Sequence, residues 1–148
     1  GLAGLFTAPG WQGPCQYFHR RTDWHRFEIT FNSGRFKTVR LYLLLQMATG
    51  TVWFDGVRME GARLVNSSFE AASGDRIEGW GQDDAGRTVF VEGRGALEGR
   101  RCVRITRRHR GQSRIWQDVA VKPRRQYRIS FWARWQDIAL GTAYECRT

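Results

Sequence analysis

A short alternation of apolar and polar residues, with a period of two, is the dominant pattern along the chain. Apolar side chains occupy every second position at residues 27–31 and again at residues 39–45. Runs of the same kind cover residues 51–59, 88–92, 101–106, 113–121 and 126–135. Glycines and polar turns separate these runs, and no apolar stripe with helical spacing extends over ten residues. The pattern predicts an all-β fold, built as an antiparallel β-sandwich or barrel.

The length of the chain limits the number of domains. Its 148 residues are enough for one ordinary domain and too few for two domains that each bury a good core. We therefore expect residues 1–148 to form a single module. The longest apolar run, residues 41–45, is far shorter than the ~20 residues that a membrane-spanning helix needs. The sequence predicts no membrane segment.

The charge balance points to an anionic partner, but it has a second interpretation. The formal net charge is +10, and every basic residue except Lys37 and Lys122 is an arginine. Such a balance favours binding of nucleic acid or acidic polysaccharide, whereas arginine enrichment spread evenly over the surface would have no ligand. The three cysteines lack the C-x-x-C spacing of zinc and redox sites, and an odd count permits at most one intramolecular pair. The pair that we would test is Cys15 with Cys146.

Several segments together resemble a known family of binding modules. The segments LVNSSFE (64–70), GW (79–80), ALEGRRCVRI (96–105), IWQDVAV (115–121) and YRISFWAR (127–134) follow one another in this order. They resemble the opening half of a jelly-roll carbohydrate-binding module of the xylan- and glucan-binding (CBM4/9/16/22-like) group. Members of this group are often found beside glycoside hydrolases. The resemblance implies a jelly-roll β-sandwich, a non-catalytic glycan-binding function and an extracellular location.

The closing half of the same module is also present, but it comes first in the chain. The segments WHRFEITF (24–31) and GTVWFDGVRM (50–59) resemble the last strands of the family. Residues 1–60 thus resemble the C-terminal half, and residues 64–135 resemble the N-terminal half. The order predicts either a circular permutation or a piece of a tandem array, and the termini of a domain are often close enough for a short join. The halves would complete one sandwich within the chain or by exchange with a neighbour, which would give dimers or open filaments.

The resemblance also implies a structural calcium ion. Several modules of this group bind calcium through a glutamate and an aspartate that correspond here to Glu70 and Asp55. Calcium takes six to eight oxygen ligands, so backbone carbonyls near Ser68 and Arg101 and water would complete the site. Gly56 replaces one of the paired aspartates that the family usually shows. The alternative is that both carboxylates are ordinary turn and strand-end residues paired with arginines.

Alternation within the strands predicts which side chains face outward to a ligand. Aromatic rings stack on the C–H faces of sugars, and amides, carboxylates and guanidinium groups bind sugar hydroxyls. If strands 39–45 and 126–135 share a sheet, their outward side chains form one aromatic and basic face. The predicted ligand-binding residues are Trp132, Tyr42, Trp116, Arg128, Arg134, Arg40 and Gln46. The arginines among them favour an acidic glycan, such as a uronate polymer, because guanidinium groups pair bidentately with carboxylates.

Two other functions fit parts of the same pattern. Stacking aromatics with interleaved arginines also bind single-stranded nucleic acid without sequence preference. No RNP, KH or zinc-finger motif supports that function. A jelly-roll polysaccharide lyase or a glycosidase fragment is the enzymatic alternative. The histidines are scattered and no H-E-x-x-H or G-x-S-x-G motif occurs, so we expect no enzyme and no catalytic residue.

Overall fold

The computed structural model describes residues 2–8, 23–46 and 48–140. These residues form eleven β-strands and no helix. The strands are β1 Leu2–Ala8, β2 His25–Asn32, β3 Thr38–Gln46, β4 Ala48–Glu60, β5 Ala72–Ser73, β6 Arg76–Ile77, β7 Gly81–Gln82, β8 Val89–Glu92, β9 Cys102–Arg107, β10 Gln112–Ala120 and β11 Gln126–Leu140. Cys15 and Cys146 lie outside the described residues, so their pairing stays a prediction.

Two antiparallel sheets build the fold. The four-stranded sheet has the order β1-β3-β10-β7, and the five-stranded sheet has the order β2-β11-β4-β9-β8. The short strands β5 and β6 pair separately. The predicted all-β, antiparallel fold is confirmed. In the part of the chain that the structure describes, no helix is long and apolar enough to cross a membrane.

The alternating pattern predicted the main strands and missed the irregular ones. The seven predicted runs coincide, in chain order, with the strands β2, β3, β4, β8, β9, β10 and β11. Strand β1 was not predicted because its apolar residues do not alternate with polar ones. It forms at the edge of its sheet by pairing with β3 over its whole length. Hydrogen bonding to β3 therefore stabilises β1 as a strand although its sequence has no alternating pattern.

The core lies between the inward faces of the two sheets. Leu41 and Leu43 of β3 meet Phe54 of β4 and Ile129 and Phe131 of β11 in one buried cluster. These side chains come from every second position of their strands, as the period-two pattern requires. Burying one such side chain stabilises the fold by roughly 1.5–3 kcal/mol. Most of the alternate positions point outward and form the two outer faces, although β4 changes its alternation at the register shift opposite residues 130–132, so that Phe54 and Val57 both lie in the core.

Strands β3 and β11 belong to different sheets, and this changes the predicted binding face. The outward side chains of β3 lie on the four-stranded sheet, whereas those of β11 lie on the five-stranded sheet. The prediction of one common face for both strands is therefore wrong. Alternation fixes the side to which each residue points within its own strand. It does not fix the sheet that the strand joins.

Candidate functional site

The outward face of the four-stranded sheet carries two aromatic side chains on neighbouring strands. Tyr42 of β3 is the register partner of Trp116 of β10. Their ring centroids are 6.3 Å apart and their ring planes are inclined by 51°. Both side chains are half-buried. A Cβ atom at Gly81 of β7 would overlap the Trp116 indole, so this ring lies directly against the backbone of β7. We call Tyr42 and Trp116 the aromatic platform.

Arginine and aspartate side chains border the aromatic platform in pairs. The guanidinium carbon of Arg114 lies 5.7 Å from the Tyr42 ring centroid and 5.5 Å from that of Trp116. Its Nε donates to Asp83 Oδ2 at 2.9 Å, and this bond raises the pKa of Arg114.

Arg40 forms the second pair. It donates from Nε and Nη2 to the two carboxylate oxygens of Asp118, at 2.7 and 3.2 Å. The hydrogen bond from Arg40 lowers the pKa of Asp118. Gln46 lies farther along β3, opposite Gln112. The two arginines nearest the aromatic platform are therefore each paired with an aspartate.

A different arrangement occupies the outward face of the five-stranded sheet. Register pairing aligns Arg134 with Trp53, Trp53 with Arg104, and Arg104 with Phe90. The guanidinium carbon of Arg134 lies 4.0 Å from the Trp53 ring centroid and 5.4 Å from that of Trp24. The guanidinium carbon of Arg104 lies 4.2 Å from the Phe90 ring centroid. Aromatic and arginine side chains thus alternate across the sheet and cover one another.

Trp132 and Arg128 also lie on the five-stranded sheet. Arg128 forms ion pairs with Glu28 at 3.2 Å and with Glu60 at 3.7 Å. Trp132 is half-buried, and a Cβ atom at Gly56 would lie 3.1 Å from its indole Cδ1. These two residues, with Arg134, are separated by the thickness of the sandwich from Tyr42, Trp116, Arg40 and Gln46.

A model of the carbohydrate binding domain family CBM_4_9 matches residues 61–144. The chain belongs to this family. The predicted resemblance of residues 64–135 to this family is thereby confirmed, and the permuted order of the two halves stays a prediction. The CBM_4_9 domain is a non-catalytic binding module, as expected, and its partner class is carbohydrate. No curated protein and no solved structure matches the chain in the corresponding searches.

The two carboxylates predicted to bind calcium in this CBM_4_9 domain approach the same loop. Asp55 accepts a hydrogen bond from the backbone N–H of Gly56 at 2.8 Å and another from that of Glu98 at 2.9 Å. Glu70 Oε1 accepts from the backbone N–H of Arg100 at 2.8 Å. The donors Glu98 and Arg100 are two residues apart, so one short loop holds both carboxylates. Neither carboxylate is in an ion pair with another described residue.

The chemistry of this loop fits a hard cation in part. Asp55 is 0 % exposed, and burial raises its pKa to about 6 against the opposing effect of the two N–H donors. Ser68 is half-buried in the segment that carries Glu70. Among the described residues no group of three or more His, Cys, Asp or Glu side chains could hold a metal ion. Asp55 and Glu70 would hold calcium only with backbone carbonyls and water as further ligands.

Sequence reasoning missed three residues beside the aromatic platform of this CBM_4_9 domain. Arg114 shares the outward side of β10 with Trp116, so alternation alone would have identified it. Asp83 and Gly81 come from the segment around β7, whose two residues are too few for any periodic signal. Only the pairing of β7 with β10 brings them to the site.

Proposed function

We propose that this domain binds a polysaccharide chain across the aromatic platform. The observation that carries the proposal is the contact between Tyr42 and Trp116 on adjacent strands of one outward face. Two rings side by side offer stacking positions to the C–H faces of successive sugar units. The membership of the chain in a carbohydrate-binding family supports this assignment.

The groups around the aromatic platform suit sugar hydroxyls. Asp118 supplies acceptor oxygens, Arg114 supplies guanidinium N–H donors, and the Gln46 amide supplies both. Because Arg40 and Arg114 are already paired with aspartates, the platform itself carries little unbalanced positive charge. We therefore propose that stacking and hydroxyl recognition, rather than charge, dominate binding on this face.

Single substitutions on the two faces test this location. Trp116→Ala and Tyr42→Ala should each weaken binding about five- to 150-fold, since losing comparable stacking on an aromatic side chain costs about 1–3 kcal/mol. Trp132→Ala is the matched control, because it removes a half-buried tryptophan from the opposite face. Affinities would be measured by isothermal titration calorimetry with the best ligand from a glycan array.

Two results would contradict the proposal. Loss of binding in Trp132→Ala, with Trp116→Ala unchanged, would move the glycan to the five-stranded sheet. Saturable binding of single-stranded DNA without binding of any glycan would favour the nucleic-acid alternative instead. Circular dichroism of each variant should match that of the wild-type protein, so that unfolding does not imitate loss of a ligand contact.

We further propose a structural calcium ion at the loop that holds Asp55 and Glu70. The support is chemical: both side chains offer only oxygen atoms, and Asp55 is fully buried without a cationic partner among the described residues. An ion that binds only the folded protein adds about 2.7 kcal/mol of stability at a hundredfold excess over Kd. Bound calcium would link a residue from each half of the chain.

Chelation tests the calcium proposal. Addition of EDTA should lower the melting temperature of the wild-type protein, and calcium chloride should restore it. The Glu70→Gln variant should melt at the same temperature under both conditions. The Glu78→Gln variant, altered at an exposed glutamate in the same part of the chain, should respond like the wild-type protein. An identical melting curve of the wild-type protein with EDTA and with calcium would rule the site out.

The order of the two halves supports a permuted module that closes on itself. Strands β3 and β4, which precede the family match, lie in the interior of the two sheets beside strands from the matched region. We propose that both halves come from one chain, and light scattering should then give the mass of a monomer. A dimer or a filament would favour exchange between chains.

The resemblance also supports an extracellular location, which fractionation of the source cells would test.

A further inference from the structure

A basic pocket of about 400 Å³ lies at the β8–β9 edge of the five-stranded sheet. The residues that line it are Arg87, Thr88, Phe90, Arg104, Thr106, Arg107, Arg108 and His109. No aspartate or glutamate contributes to the wall. A volume in this range accommodates a small ligand or one or two sugar units of a longer chain. We call it the basic pocket.

Most of the positive charge of the basic pocket is not balanced. Arg104 pairs with Glu92 at 2.9 Å, and it also donates to Thr106 Oγ1. Arg87, Arg107 and Arg108 form no ion pair with another described residue. This distinguishes the basic pocket from the aromatic platform, where each neighbouring arginine has an aspartate partner.

Neutral groups hold one of these guanidinium groups in place. Arg107 Nε donates to the carbonyl of His109 at 3.1 Å, and its Nη1 donates to Ser113 Oγ at 2.7 Å. Ser113 is in turn hydrogen-bonded to Thr88 Oγ1 at 2.6 Å. A Cβ atom at Gly111 would overlap the guanidinium, so the absence of a side chain there permits this position. Neutral acceptors thus hold Arg107 in place, and no carboxylate of a described residue neutralises its positive charge.

The chemistry of the wall indicates the class of ligand. Guanidinium groups bind anionic oxygens through two parallel hydrogen bonds, and several of them together favour a group with more than one such oxygen. Of the two aromatic rings in the wall, Phe90 is covered by Arg104 at 4.2 Å, so only the exposed His109 imidazole is left to stack on a nucleobase. An oxyanion carried by a sugar therefore fits better than single-stranded nucleic acid.

We infer that the basic pocket binds a sulfate or carboxylate group of an acidic saccharide. The site is separate from the aromatic platform, because Phe90 and Arg104 belong to the five-stranded sheet. It would give the domain a preference for acidic glycans even though the platform is electrostatically balanced. The inference goes beyond the proposed function and does not require that the platform bind the same chain.

The test uses three oligosaccharides of equal length, namely a heparin-derived sulfated oligosaccharide, an oligogalacturonate and a neutral xylo-oligosaccharide. A single-stranded DNA oligonucleotide is the fourth probe. The double variant Arg87→Ser/Arg108→Ser removes two exposed arginines whose side chains have no hydrogen bond to the described residues. The matched control, Arg35→Ser/Arg63→Ser, removes the same charge at exposed positions away from the basic pocket. Calorimetric titration of the wild-type protein, both double variants and Trp116→Ala gives four affinities for each probe.

At least one acidic probe should bind the wild-type protein saturably. The same probe should bind Arg87→Ser/Arg108→Ser about tenfold more weakly, as expected for the loss of two exposed charge pairs. If this variant loses affinity for the sulfated probe alone, sulfate is the ligand group. If it loses affinity for the oligogalacturonate alone, carboxylate is the ligand group. The control variant should lose less than about twofold, the effect of the screened net charge. Trp116→Ala should weaken binding of the neutral probe, which carries no anionic group for the basic pocket, so that failure of the platform is seen separately. Equal losses in the two double variants would overturn the inference. Binding of neither acidic probe, or of single-stranded DNA alone, would overturn it as well.

Discussion

The buried carboxyl group of Asp55 should make the metal-free protein less stable as the pH rises from about 4 to about 6. Its folded-state pKa is about 6, against 3.8 for an ordinary aspartate, and burial is the main cause. Between these values the folded state holds a proton that the unfolded state has released. The free energy of unfolding therefore falls with rising pH in this window, and it is constant with respect to this group above it.

The magnitude follows from the two pKa values. One pKa unit corresponds to about 1.4 kcal/mol, so full ionisation of Asp55 costs the folded state about 3 kcal/mol. Between about pH 4 and about pH 7 the expected loss is about 2–3 kcal/mol, because the unfolded chain is already partly ionised at the lower value. Asp118 contributes to the pH dependence of the unfolding free energy with the opposite sign. Arg40 lowers its pKa, so Asp118 adds stability that is lost at low pH. Asp118 is exposed, and its contribution is small.

Urea denaturation in EDTA, followed by tryptophan fluorescence, measures this dependence. The Asp55→Asn variant carries no titrating group at this position, and every other carboxyl group is common to both proteins. The difference in unfolding free energy between the wild-type protein and the variant should fall by about 2–3 kcal/mol from about pH 4 to about pH 7. The Asp137→Asn variant, altered at an exposed aspartate, should follow the wild-type curve.

The slope of the difference decides the outcome, not its absolute value. Asparagine keeps one acceptor oxygen but turns an N–H₂ group toward one of the two backbone donors, so a constant offset between the proteins is expected. Parallel curves for the wild-type protein and Asp55→Asn would falsify the reasoning, because they would show that Asp55 titrates alike in the folded and unfolded states.

Three further predictions concern single side chains. Gly81→Ala should weaken glycan binding although residue 81 does not itself contact the ligand, because the new Cβ displaces the Trp116 indole. Calorimetry with the ligand from the glycan array measures this loss of affinity. Tyr127→Phe should lower the unfolding free energy by about 1 kcal/mol in urea denaturation, since the hydroxyl accepts a hydrogen bond from the Lys122 N–H at 2.7 Å. The thiol of Cys102 should react with a disulfide reagent only after unfolding, because burial raises its pKa to about 12 and a reactive thiol must ionise.

The family assignment and the seven regular strands were readable from local signals. Alternation at residues 27–31 and 39–45 predicted β2 and β3 because a strand that packs one face on a core needs apolar side chains at every second position. The same rule correctly placed Tyr42 on the outward side of β3 and Trp132 on the outward side of β11. The segments around residues 64–70 and 96–105 carried the family resemblance, which the match to residues 61–144 confirms.

Only the tertiary structure decided which outward residues meet. Tyr42 and Trp116 form a pair because β3 and β10 are hydrogen-bonded neighbours, whereas Trp132 lies on the other sheet. The four arginines of the basic pocket come from the β8–β9 edge and the turns beside it. The physical reason is that the side-chain period belongs to a single strand, while sheet membership depends on pairing between segments distant in sequence. The sequence by itself determined the regular strands and the side to which their residues point, and long-range strand pairing determined which of those residues share a surface.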